Sequence, residues 1–286
     1  MTYRGIDFNT NLTGVGDTYM LIDIPEGLNH PVIRESERNI QGEHGVSDQI
    51  SFYGKRLITL TGKIISDTQA GRKIMEEELR KIFLLDGIQD NLNASYYPLY
   101  IKDEDSELKQ IDVKVAVGVE FQKVPGNYYE RDFIVSLKAR DPRFLGQTLN
   151  DEDLEEAFDG TTLQFPTKFP FKLSNKVFNQ ITITNTGNFS APPIITLTGI
   201  SDNPRIINQT TGKQMKFNTT LISGDEIVID TALGTIEKNG SDILSVLDVS
   251  SEFIFLKPGE NIFELRDDTP VDLQLQAEIK WRDSWI

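Results

Sequence analysis

From Ile111 to Phe121 apolar side chains fall on every second residue. Ile111, Val113, Val115, Val117, Val119 and Phe121 alternate with Asp112, Lys114, Ala116, Gly118, Glu120 and Gln122. A period of two is the mark of a strand with one buried face. Pro125-Gly126-Asn127 then supplies a turn, and Phe133, Val135, Leu137 and Ala139 return with the same period, which predicts a long antiparallel hairpin. Strand periodicity also marks Met20, Ile22 and Ile24, and the run Ile50 to Ile65, where Gly54 and Gly62 are expected as bulges or turns. The period changes once. Ile74, Met75, Leu79, Ile82 and Phe83 form a helical stripe, with Asp67 or Thr68 as the cap, Gly87 as the stop, and Glu76–Arg80 and Glu77–Lys81 as i,i+4 pairs.

Asp141-Pro142 interrupts the pattern, and the acidic run Asn150 to Asp159 reads as a linker or a short helix. Strands are then expected around Ile181 and Ile183, Ile195 and Leu197, Ile227 and Ile229, and Phe253 and Phe255. A last strand carries Val271, Leu273, Leu275, Ala277, Ile279 and Trp281 on one face. Turn signals at Thr186-Gly-Asn, Lys238-Asn-Gly and Lys257-Pro-Gly separate them, the spacing of an antiparallel sandwich. The chain of 286 residues is long enough for two cores, and the readings divide it at residues 1–145 and 146–286.

Composition narrows the chemistry. Cysteine is absent, which rules out disulfides, thiolate metal sites and a Cys nucleophile. No apolar run is long enough to cross a bilayer, and Met1-Thr-Tyr-Arg-Gly-Ile-Asp7 has no apolar signal segment. A net charge of −15 speaks against a basic nucleic-acid footprint. The two histidines, His30 and His44, lack partners at metal-ligand spacing, and no Gly-x-Ser-x-Gly elbow occurs. Glu120, Glu226 and Glu278 are the carboxylates that a glycosidase reading would use, and outward solvation accounts for each. The run from Asp151 places Glu156 where a calcium loop needs glycine. Phe165, Phe169, Phe171, Phe178 and Trp285 suit a core or seam better than a sugar platform. No catalytic, cofactor or metal residue is assigned.

Short motifs carry a further reading. In order they are Arg34-Glu-Ser-Glu-Arg38, Gly42-Glu-His-Gly45, Lys138-Ala-Arg-Asp-Pro-Arg-Phe144, Asn185-Thr-Gly-Asn188, Ala191-Pro-Pro-Ile194, Leu256-Lys-Pro-Gly-Glu-Asn261 and Trp281-Arg-Asp-Ser-Trp-Ile286. This order resembles the distal tail proteins of long-tailed, non-contractile bacteriophages and their prophages. The resemblance implies a mainly-β fold: an N-terminal β-barrel or sandwich-like belt domain with one α-helix, and a C-terminal galectin-like antiparallel β-sandwich. It implies a non-enzymatic protein that closes as a homohexamer ring at the end of the tail tube. The expected neighbours are the tail tube protein, the tape-measure protein and the tail-associated or receptor-binding proteins. Assembly would occur in the bacterial host cytoplasm, and DNA would pass an anionic bore without sequence-specific binding or membrane insertion. A ring needs heterologous interfaces that close. The expected inter-subunit residues are Arg34, Arg38 and Arg56, which would meet acids of the next copy, and the hairpin residues Ile111, Val113, Val115, Val117, Val119, Phe121, Phe133, Val135 and Leu137. The competing classes are a cell-wall glycan-binding sandwich and, more distantly, a glycosidase.

Overall fold

The computed structural model describes residues 1–4, 6–8, 10–11, 18–35, 37–39, 46–48, 50–84, 96–102, 107–155, 180–268 and 275–286. The architecture is mainly β with one α-helix among the described residues. Two compact units separate by their contacts, Met1–Gln147 with Ile286, and Thr148–Trp285.

The first unit is built on β1 (Thr18–Ile22), β2 (Arg56–Ser66), α1 (Gln69–Ile82), β3 (Tyr97–Ile101), β4 (Lys109–Lys123) and β5 (Glu130–Ala139). Its antiparallel sheet runs in the order Ile6–Asp7, Thr2–Tyr3, β3, β4, β5, β2, β1, Thr10–Asn11. Among the described residues the expected barrel does not close. Both ends of the path are two-residue strands, too short to carry the staggered ladder that closure requires. Alternation in β2 is strict, with Ile58, Leu60 and Ile64 fully buried. Gly62 is neither bulge nor turn. It lies inside the unbroken β2–β5 ladder opposite Phe133, and a Cβ there would stand 2.6 Å from the Phe133 ring and 2.3 Å from the Leu21 carbonyl oxygen.

Helix α1 covers one face of this sheet. Thr68 caps it by accepting from the Gly71 N–H at 3.0 Å, and Met75, Leu79 and Ile82 enter the core with Phe83 behind them. Ile74, expected in the stripe, faces solvent. The ion pairs also differ from expectation. Glu76 takes Arg72 one turn back and Arg131 Nε of β5 at 3.1 Å, so this carboxylate ties the helix to the hairpin. Lys81 pairs with Glu78 at 2.7 Å, and Arg80 lies over the Phe121 ring. At the other end Arg4 donates to the Ile82 carbonyl at 2.8 Å, a cation against the negative end of the helix dipole. The helix ends at Ile82 with Phe83 as C-cap, and the expected stop at Gly87 lies outside the described residues.

The second unit contains β6 (Asn150–Glu155), β7 (Gln180–Asn185), β8 (Ile194–Thr198), β9 (Arg205–Asn208), β10 (Lys213–Lys216), β11 (Glu226–Asp230), β12 (Thr235–Lys238), β13 (Gly259–Arg266) and β14 (Gln276–Trp281). One sheet runs β6-β14-β8-β11-β12 and then Ser241–Asp242, and the other runs β7-β13-β9-β10. They share a core that includes Ile195, Leu197, Ile227, Ile229 and Ile279 from the first and Ile183, Ile206, Met215, Phe263 and Leu265 from the second. Two expectations are corrected here. The acidic run is not a linker or helix at its start. Asn150–Glu155 pairs along its whole length with β14, and only Leu154 is buried. Phe253 and Phe255 form no strand. Ile254 and Leu256, one residue out of phase, fill the core, and Leu256 bridges Ala191.

Candidate functional site

The long hairpin carries the first candidate surface. β4 pairs with β5 from Val113 to Lys123, but two register shifts interrupt the ladder, one between Val115 and Val117 and one between Val117 and Glu120. Each inserts an extra residue in β4, a β-bulge. The consequence is a local change of face. Ile111, Val113 and Val115 are buried, Val117 is half exposed, and Phe121 regains the register opposite Phe133. Phe133, Val135 and Leu137 of β5 are buried. The side chains of Ile111, Val113, Val115, Phe133, Val135 and Leu137 therefore pack inside their own unit. Val117, with Val119 and Phe121 partly exposed, remains at the surface.

The β4 backbone is also incompletely paired. β3 covers its second side only over Lys109–Val113, so among the described residues Lys114–Lys123 has no neighbouring strand on that side. An unpaired edge presents donors and acceptors to another chain. Tyr128 and Tyr129 are exposed beside the hairpin turn. Spacing alone did not mark them, because neither lies on the alternating face.

A second surface is a ribbon made of two separate two-stranded sheets, one pairing Ile33–Arg34 with Phe52–Tyr53 and the other Glu37–Asn39 with Val46–Asp48. Val32, Ile33, Ile50 and Phe52 are all more than half exposed on it. Arg34 is exposed with its guanidinium 5.8 Å from the Phe52 ring centroid. Arg38 lies in the Glu37–Asn39 strand of the same ribbon. Arg56 is elsewhere and buried. Its Nε donates to the Pro142 carbonyl at 3.0 Å, its Nη1 donates to the carbonyls of Gly27, Leu28 and Asn29, and its guanidinium packs on Phe144. Burial lowers its pKa from the ordinary value. Arg56 thus staples two loops of its own unit, and the three arginines do not form one cluster.

The motifs of the second unit prove to be turn locks. Asn185 is buried, with Nδ2 donating to the Phe189 carbonyl at 2.8 Å and Oδ1 accepting from the Gly187 N–H at 3.1 Å. A Cβ on Gly187 would lie 1.9 Å from the Ser284 carbonyl oxygen, so only glycine lets the Ser284 strand approach. Asn261 closes Lys257-Pro-Gly-Glu. Its Oδ1 accepts from the Lys257 N–H at 3.0 Å, and its Nδ2 donates to the carbonyls of Lys257 and Gly259, both at 2.9 Å. In Ala191-Pro-Pro-Ile194 the Pro193 carbonyl accepts from Thr231 Oγ1 at 2.6 Å.

Acidic groups are held in the same manner. Hydrogen bonds from Lys238, Asn239 and the Ile222 N–H lower the Asp225 pKa to about 2, and bonds from Ser250 and Asn218 do the same for Asp248. Burial pushes the Glu264 pKa up, but donors on Arg266, Gln180 and Gln209 outweigh it and hold the group below its ordinary value. Glu120 and Glu226 are exposed, and Glu278 reaches Lys280 at 2.6 Å. His30 is exposed, while His44, Phe165, Phe169, Phe171 and Phe178 lie outside the described residues. Among the described residues no group of His, Asp and Glu could hold a metal ion.

Two β units, one of them with an open strand edge, define a mainly-β scaffold. Residues 186–285 match the family model described as siphovirus-type tail component, C-terminal domain. The chain also shares its fold with the SPP1 Dit protein (gp 19.1), described as a paradigm of the hub adsorption apparatus in phages infecting Gram-positive bacteria. The two are 16% identical over 94% of each chain, with a TM-score of 0.61. Two structures of the phage P2 baseplate in its activated conformation match less closely. The one with Ca gives a TM-score of 0.41 at 11% identity, and the one with Sr gives 0.42 at 10%, each covering 91% of this chain and 90% of that one. No curated protein matches. Within the second unit, residues 186–285 are similar to the C-terminal domain of siphovirus-type tail components, and the whole chain shares the fold of the SPP1 Dit protein.

Proposed function

We propose that this protein is the structural hub at the distal end of a siphophage tail. Six copies close into a ring that joins the tail tube to the tip or baseplate and to the host-adsorption proteins, and DNA passes through the centre. The observation that carries this reading is the family match over residues 186–285, joined to a fold likeness that spans 94% of the chain. Residues 1–145 act as the ring-forming belt, and residues 146–286 form the galectin-like sandwich. The hub docks on the tail tube protein, the tape-measure protein and the receptor-binding proteins. It is assembled in the host cytoplasm and carried on the virion.

Neighbouring copies join through the open side of Lys114–Lys123 and through the ribbon that holds Arg34 and Arg38. The exposed apolar residues of that ribbon support this assignment, since an isolated two-stranded hairpin is marginal in water. The buried hairpin residues contribute indirectly, by fixing the strand that offers its edge. Mass photometry and negative-stain microscopy, with the tail tube protein present and absent, test the reading. Closed six-copy rings are expected. A chain that stays monomeric with the tube protein present would overturn it.

A further inference from the structure

The face of the first-unit sheet turned away from α1 carries a cluster of cations without a carboxylate partner among the described residues. Alternation assigns the faces. Arg131 and Phe121 meet the helix, so Lys138, an odd number of steps from Arg131 along β5, points the other way, and Arg140 follows just past the end of that strand. Lys114 is directly opposite Lys138 in the β4–β5 register and lies on the same face. Lys114 Nζ is 5.3 Å and Arg140 Cζ 5.6 Å from the centroid of the Tyr96 ring, which draws both cations to one spot.

Like charges directly opposite on neighbouring strands are destabilising. Elsewhere acids offset it: Arg205 faces Lys216 and Arg266 in register, but Asp268 pairs with Arg205 and Lys216, and Glu264 with Arg266. Lys63, Lys81, Lys213, Lys216, Lys238 and Lys280 each reach a carboxylate. Lys114, Lys138 and Arg140 make no ion pair among the described residues, in a chain whose acidic side chains outnumber its basic ones by 44 to 29. Asp112, two residues before Lys114 on the same strand, also lies on this face.

We propose that Lys114, Lys138 and Arg140 form a sequence-independent contact for the phosphate backbone of nucleic acid. Phosphate contact needs little beyond clustered cations, and three on a flat sheet supply it. The Tyr96 ring is taken by the two cations, but Leu57, opposite Lys138, is half exposed on this face, so an acidic protein is the competing occupant that the test separates. The charge of −15 keeps the contact weak, which suits a strand that must slide and not lodge. The source of the nucleic acid rests on the tail-hub reading; the contact itself does not.

The test is fluorescence anisotropy of a labelled mixed-sequence DNA duplex against the full chain at rising salt. The variant carries Lys114→Gln, Lys138→Gln and Arg140→Gln. A control of equal charge change carries Lys73→Gln, Lys213→Gln and Lys257→Gln. Weak binding by the unaltered chain is expected. It should fall at least tenfold in the first variant, with the log–log salt slope reduced by about three, and by less than twofold in the control. Three results overturn the proposal: no binding by the unaltered chain, equal losses in both variants, or displacement of the duplex by polyglutamate at matched charge, which would mark an acidic protein as the partner. Mass photometry on the same variants separates the two claims. Rings that form without DNA binding leave the hub and remove the contact, whereas DNA binding without rings does the reverse.

Discussion

At the scale of single residues, the side chains that do most for the second unit are amides and a glycine. Gly187→Ala forces a Cβ into the Ser284 carbonyl, and the resulting backbone shift should cost about 3 kcal/mol, read as a lower urea midpoint. A midpoint within error of the unaltered chain would mean that the Ser284 strand is not packed there. The pH dependence has a definite sign. Asp225 and Asp248 titrate at about 2 in the folded chain against an ordinary 3.8, so their contribution is complete above the ordinary value and is lost as pH falls toward about 2. Asp225→Asn and Asp248→Asn should each flatten the fall in stability with acid in that window, and an unchanged acid profile refutes the assigned bonds. The positions of Asn185, Gly187 and Asn261 were legible in the sequence as motifs. Their role was not, because spacing does not reveal which carbonyl a buried amide will meet.

At the scale of elements, periodicity gave the strands and the helix, and it failed where the backbone departs from a regular ladder. The alternation from Ile111 to Phe121 is unbroken in sequence, yet two inserted residues turn Val117 outward. A bulge leaves no trace in an apolar pattern, since it is fixed by the partner strand. The acidic start of β6 was hidden for the opposite reason. An edge strand with one buried residue in six shows almost no alternation. The phase error at Phe253 and Phe255 arose because β-propensity favours aromatics, while the core took Ile254 and Leu256. Val117→Glu tests the hairpin as a joining element. The site is half exposed, so the melting temperature should hold while six-copy rings disappear from mass photometry. Rings that persist would move the junction away from this strand.

At the scale of the whole molecule, each unit holds its own contacts, and the core of the second is drawn from both of its sheets. A fragment of residues 148–286 should therefore unfold in one cooperative urea transition. A gradual, non-cooperative loss of signal would show that it depends on the first unit. The mainly-β class and the one α-helix among the described residues were legible from period and turn chemistry alone. The absence of a closed barrel was not, because closure depends on two-residue end strands that carry no recognisable pattern.

The paired irregularities in β4 bear on how free subunits survive before they are used. A flat, regular border invites endless stacking of strands into fibrils. Two extra residues twist and kink the border instead, so a stray strand finds few bonds in step with its own. Only a chain bent to the same curve can add along its full length. The hairpin would then act as its own guard against precipitation, and newly made copies would remain available until the proper neighbour arrives.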